Sequence, residues 1–209
     1  MFNPSLTGVA DRKHLLGPGV NMSTHILDVV NLVEAENLEA IVLVGHSYAG
    51  NVIAGASERI PERISAVVYL DAFVPADAAA YIAVVDSGGQ AEARAQAQAQ
   101  FDAGQYGVEP FPFLAEQFGW GPYLHRLTPH PAAAGLERVP LSGGWKNIPN
   151  KTFVWAKENV AAEPTYQRLS VAPGWRTEIY EGNHMIMIDD SATCAAILER
   201  AIPSTAPSA

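Results

Sequence analysis

The sequence predicts an α/β fold built on a parallel sheet. Three observations carry this. Short β-branched runs alternate with helical stretches along most of the chain, the pattern of βαβ units. The run Ala40-Ile41-Val42-Leu43-Val44 is apolar at every position, as a strand buried on both faces must be. The 209 residues are 48% hydrophobic and 17% charged, which suits one domain with a sizeable core.

The elements follow in order. The first twenty residues are rich in turn formers: Pro4, Gly8, Gly17, Pro18 and Gly19. Ser23 or Thr24 can cap a helix that carries Ile26, Val29, Val30 and Val33 on one face and ends near Asn37. The Ala40–Val44 strand leads through a turn, Gly45 to Gly50, into a helix over Asn51 to Arg59 that Pro61 stops. Ile64 to Leu70 reads as a second strand. Thr152 to Trp155 and Thr177 to Tyr180 read as two more, with a helix from Glu163 to Leu169 between them. A last helix covers Ser191 to Ala201, with Asp189 and Asp190 placed to cap it.

The middle of the chain breaks this rhythm. Ala91 to Gln100 alternates with period two, yet Ala, Gln, Glu and Arg are strong helix formers, so a helix is expected. Aromatics follow among prolines and glycines: Phe111, Phe113, Phe118, Trp120 and Tyr123. The predicted organisation is an α/β core of residues 1–75 and 151–202, a helical lid insertion over 76–150 and a flexible tail over 203–209. An insertion at the strand C-termini of such a sheet commonly shapes a pocket. Phe73, Phe111, Phe113, Trp120 and Tyr123 are its candidate lining residues.

Composition narrows the function classes. Thirteen Lys+Arg against 22 Asp+Glu give a net charge of −9, which disfavours nucleic acid as a partner. The single cysteine, Cys194, excludes an intrachain disulfide and a Cys-cluster zinc site. His25 and Asp28 form only a lone i, i+3 pair, so no metal site is expected, and no other cofactor. No segment reaches the roughly 20 apolar residues of a membrane helix. The N-terminus lacks the apolar core of a secretory signal, and a cytoplasmic location is expected.

The stretch Ile41-Val-Leu-Val-Gly-His-Ser-Tyr-Ala-Gly50 carries the chemistry. It reads strand, then Gly45-His46-Ser47-Tyr48-Ala49, then helix. A serine on such a turn is exposed as a nucleophile, and small residues two before and two after it let the backbones approach. Gly45 and Ala49 meet that need. Tyr48 N–H is the candidate oxyanion donor, helped by the dipole of the helix that starts there. A phosphate-binding Gly-Ser loop is the other reading, but no Walker lysine and no GxGxxG accompany it.

A serine nucleophile needs a base, and histidine suits neutral pH. His14, His25 and His46 fall at or before the serine, whereas the chain order in such sites is serine, acid, histidine. Of His125, His130 and His184, the last lies after the final strand and before the final helix, where a loop can carry it to the sheet edge. Asp71, at the end of Ile64–Leu70, and Glu158, in the turn after Thr152–Trp155, are the two candidate acids.

At these residues the chain resembles the α/β-hydrolases, in the bacterial esterase branch related to plant methylesterases and hydroxynitrile lyases. The matching stretches are Pro4-Ser-Leu-Thr-Gly8, Thr24-His-Ile-Leu-Asp-Val-Val-Asn-Leu32, Val42-Leu-Val-Gly-His-Ser-Tyr48, Val68-Tyr-Leu-Asp-Ala-Phe-Val-Pro75, Leu127-Thr-Pro-His-Pro131 and Gly182-Asn-His184. The resemblance implies Ser47 as nucleophile, His184 as base, and a small apolar carboxylic ester as substrate. Lyase chemistry on a cyanohydrin and a non-catalytic ligand-binding role are the alternatives on the same fold.

Two departures from the family matter. Its acid in the lyase-type members aligns with Asn159 here, beside Glu158, which favours Asp71 as the acid. The family also begins with a strand, a His-Gly loop that supplies a second oxyanion donor, a helix and another strand. This chain starts after that segment. The expectation is an apolar sheet edge at Ile41–Val44, in a truncated product or in a homodimer that covers it. Loss of one oxyanion donor lowers rates by about 10²–10³.

Overall fold

The computed structural model describes residues 1–76, 81–82, 91–109 and 121–203. In chain order the main elements are α1 (Met22–Ala35), β1 (Ile41–His46), α2 (Ala49–Arg59), β2 (Ile64–Leu70), α3 (Ala91–Asp102), β3 (Asn150–Ala156), α4 (Glu163–Ser170), β4 (Trp175–Tyr180) and α5 (Ser191–Ala201). The chain forms two compact units, residues 33–76 with 142–209 and residues 1–32 with 77–141.

The first of these holds the sheet. Four parallel strands lie in the order β1-β2-β3-β4. The α2 helix connects β1 to β2, and α4 connects β3 to β4, as parallel neighbours require. In β2 every residue but Ser65 is buried, and in β3 every residue after Asn150 is, the polar Lys151 and Thr152 included. One core cluster joins Val68, Leu70 and Val154 to Ile186 and to Cys194, Ile197 and Ala201. The last three lie on α5, whose N-terminus is capped by Asp190: its carboxylate accepts the Thr193 N–H at 2.9 Å.

β1 is an edge of this sheet among the described residues. Ile41, Val42 and Leu43 are half-buried and Val44 is 38% exposed. The strand runs two residues beyond the expected Val44, through Gly45 and His46, because it stays in register with β2 up to the pair His46 and Leu70. Those two residues bring the strand directly to Ser47.

The second unit carries α3, two short strand pairs and short helices. Tyr81–Ile82 pairs with Val139–Pro140, and Gly107–Val108 with His130–Pro131, both antiparallel. Helical propensity prevails in α3: the period-two alternation holds Ala against Gln, neither of which gains from a pleated surface. Gln98 donates to Asp102 one turn on, at 2.9 Å. The start of α1 differs from expectation. Asn21, two to three residues earlier than predicted, is the cap: its side chain accepts the Thr24 N–H at 2.9 Å, and Thr24 Oγ1 accepts the Asn21 N–H at 3.3 Å. His25, on this helix, is fully buried and its Nε2 lies 2.8 Å from the Thr7 carbonyl.

Candidate active site

Four residues stand just past the C-terminal ends of the four strands, the end where open α/β sheets bind ligands. Ser47 follows β1, Asp71 follows β2, Asn159 stands three residues past β3, and His184 four past β4.

Ser47 and Asp71 occupy equivalent places on adjacent strands, one step beyond the last paired residues, His46 and Leu70. Both have left-handed backbones, with φ 53° and 43°. A non-glycine residue there costs about 1–3 kcal/mol and persists only where the surroundings fix it. The surroundings do so here. Ser47 N–H donates to Leu70 O at 3.4 Å, and Ser47 O accepts from Gly50 N–H and Phe73 N–H, both at 3.1 Å. Asp71 N–H donates to Val154 O at 2.7 Å. The serine turn is thus fastened to the main chain on both sides of Asp71.

Close approach explains the small residues of the turn. A Cβ on Gly45 would come within 2.7 Å of the Ala49 carbonyl oxygen. A Cβ on Gly50 would strike the Phe73 carbonyl and stand 2.9 Å from the Ala72 Cβ. Tyr48, the candidate oxyanion donor, sits between Ser47 and the first residue of α2 in helical conformation.

Asp71 is 4% exposed. A carboxylate so buried needs partners, and its two oxygens have three. His184 Nδ1–H donates to Oδ2 at 2.5 Å, Asn159 Nδ2–H to Oδ2 at 2.7 Å, and Ala156 N–H to Oδ1 at 3.2 Å. With the imidazole Nδ1–H committed to Asp71, the neutral ring keeps its lone pair on Nε2, the tautomer a general base needs. Glu158, the other candidate acid, is exposed, and its backbone N–H bonds Gly182 O at 3.3 Å.

His46 also belongs to this cluster. Its ring centroid is 4.3 Å from that of His184, and its Nε2–H donates to the His184 carbonyl at 2.8 Å. Burial and the neighbouring His184 lower its pKa to about 4, so it is neutral around pH 7.

The sequence-predicted residues divide accordingly. Ser47, His184 and Asp71 stand at neighbouring strand ends, with Gly45, His46, Tyr48 and Ala49 around the serine. Phe73 follows Asp71 and is 41% exposed; Tyr123, in the other unit, is also 41% exposed. Phe111, Phe113 and Trp120 lie outside the described residues. Sequence reasoning missed two contacts: Asn159 as the donor that holds Asp71, and His46 as a partner of His184. A polar residue in the loop after the third strand was the only signal for the first. For the second there was none beyond the histidine's place beside the serine.

With the sheet order, the strained serine turn and the Asp71–His184 pair goes a family: the chain belongs to the α/β-hydrolase family, whose profile matches residues 3–197. Among its relatives, the carbendazim hydrolyzing esterase of Nocardioides sp. (strain SG-4G) is 31% identical over 201 residues, 90% of this chain and 82% of that protein. An extracellular α/β-hydrolase from a Paenibacillus species, described as sharing structural and functional homology with tobacco salicylic acid binding protein 2, superposes with a TM-score of 0.79. It is 22% identical, over 97% of this chain and 87% of that one. A methylesterase from Arabidopsis superposes at 0.68 with 17% identity, over 95% and 84% of the two chains.

Proposed function

We propose that the protein is a serine esterase that cleaves a small apolar ester through Ser47, His184 and Asp71. The observation that carries this is the 2.5 Å bond from His184 Nδ1–H to the buried Asp71, beside the strand end that presents Ser47. The relative named for hydrolysing carbendazim supports an ester-cleaving reading and makes carbendazim a substrate to assay.

In the proposed reaction Ser47 Oγ attacks the ester carbonyl while His184 Nε2 takes its proton. Asp71 offsets the imidazolium charge that develops. Tyr48 N–H faces the oxyanion, with the first turn of α2 behind it. The proton passes from Nε2 to the departing alcohol, leaving an acyl-enzyme. His184 then activates water, and the acid is released. The exposed Phe73, two residues past Asp71, is the proposed contact for an apolar substrate group.

The test is Ser47→Ala against p-nitrophenyl butyrate, with a fluorophosphonate as covalent probe. Turnover should fall by well over 10³-fold, since a serine triad that loses its nucleophile loses about 10⁶ in kcat, and labelling should disappear. Unchanged turnover would sink the nucleophile assignment.

A further inference from the structure

We propose that His46 is a positioning residue of this site, pinning the loop that carries the general base to the end of the nucleophile strand. The proposal rests on the esterase reading and goes beyond it.

His184 lies in the irregular segment between β4 and the short helix Ile186–Asp189. A base in a loop must still hold its ring within a fraction of an ångström of the serine oxygen, since a 1 Å misplacement costs about 10²-fold in rate. The Asp71 bond fixes one point, the Nδ1 side of the ring. It does not reach the main chain at His184, two residues past the point where the Gly182 carbonyl accepts the Glu158 N–H at 3.3 Å. His46 supplies a second point of a different kind. Its Nε2–H holds the His184 carbonyl at 2.8 Å, and its ring lies against the imidazole at 4.3 Å with the planes tilted 39°. One contact fixes the backbone and the other limits the ring's swing.

The location of the anchor matters as much as its contacts. His46 is the residue before Ser47 and the last residue of β1. The path from nucleophile to base therefore runs through one peptide bond, one side chain and one hydrogen bond. Displacement of β1 carries both partners together. The nucleophile-to-base distance is protected from motions that would otherwise separate two strand ends.

The anchor must stay a neutral donor. A charged His46 would face the imidazolium that forms on His184 during acylation, at stacking distance. The groups facing it are His184, which disfavours its protonation, and Asp71, which favours it, together with its own burial. Burial and His184 prevail, and the ring stays neutral through the range where an esterase of this kind works.

Two substitutions separate the donor from the ring. His46→Phe keeps the ring and removes the N–H; His46→Gln places an amide N–H near the position of Nε2. With p-nitrophenyl butyrate, H46F should lower kcat about 10- to 100-fold with KM within about 2-fold, and H46Q should recover most of the loss. A second readout does not depend on turnover. The low-field proton NMR signal of His184 Nδ1–H, identified by its loss in H184Q, should broaden or move upfield in H46F and persist in H46Q. Should H46F fail to fold, H46N replaces it, its amide being too short to reach the His184 carbonyl, and the same losses are expected. Wild-type kcat with an unmoved signal in H46F overturns the proposal, as does H46Q impaired as deeply as H46F. Ser47→Ala in the same assay keeps the two readings apart. If it retained turnover, the esterase reading would fail, and the NMR signal would still decide the role of His46.

Discussion

Asp71 is the residue on which the proposed chemistry turns. Its carboxylate is buried yet accepts three hydrogen bonds, from His184, Asn159 and Ala156. The Asn159 amide bonds the carboxylate and not the histidine. It donates to the carboxylate from the next strand end, and so holds the group that in turn orients His184. Asp71→Asn should lower kcat about 10³–10⁴-fold with little change in KM, because an amide at this place favours the wrong imidazole tautomer and cannot offset the imidazolium. Glu158→Gln, on the exposed turn, should leave kcat within about 2-fold. Steady-state kinetics on the two variants decide between the acids, and the reverse pattern would move the role to Glu158. Neither the Asn159 contact nor the His46 contact was legible in the sequence. Both join residues more than 80 positions apart, and nothing local in either residue announces its partner.

At the scale of elements, the serine turn shows why Gly45 and Gly50 stand where they do. Gly45 lets the end of β1 approach the Ala49 backbone, and Gly50 lets α2 approach the segment after β2. Gly50→Ala would push a methyl into the Phe73 carbonyl, whose N–H is bonded to Ser47 O at 3.1 Å. The expected result in urea denaturation is a loss of about 1–3 kcal/mol, as for overpacking elsewhere. Turnover should fall as well, since the same shift moves the serine turn. Most elements were legible from pattern alone. Ile64–Leu70 and Ser191–Ala201 match the prediction residue for residue. The misses lie at ends: β1 runs on to His46 because its partner strand does, and α1 starts after Asn21 because a side-chain oxygen reaches Thr24 N–H there.

At the scale of the whole molecule, the unit of residues 1–32 and 77–141 contains a histidine pair. The rings of His25 and His130 meet edge to face at 5.7 Å. Burial lowers both pKa values below 6.5, His130 to about 4 with the His25 charge contributing. A histidine whose folded pKa is depressed takes up its proton more readily in the unfolded chain. Its neutral form therefore supports folding fully above pH 6.5, and that support is lost as pH falls toward 4. The loss should reach up to about 3 kcal/mol between pH 6.5 and 4 for His130 alone. Thermal melts at pH 7, 5.5 and 4.5 should show Tm falling over this window, and His130→Phe should flatten the fall. An undiminished slope in that variant would place the acid sensitivity elsewhere.

The sequence by itself determined the strand and helix succession, the parallel sheet and the strand–Ser47–helix turn, because propensity, apolar runs and Gly spacing act locally along the chain. It also singled out His184 and narrowed the acid to two residues. The tertiary structure alone set the four strand ends side by side. That placement gave His184 to Asp71, Asn159 to the carboxylate and His46 to the base loop. The physical reason is sheet register. Each partner sits at the end of a different strand, and only the pairing of β1, β2, β3 and β4 brings those ends within hydrogen-bonding distance.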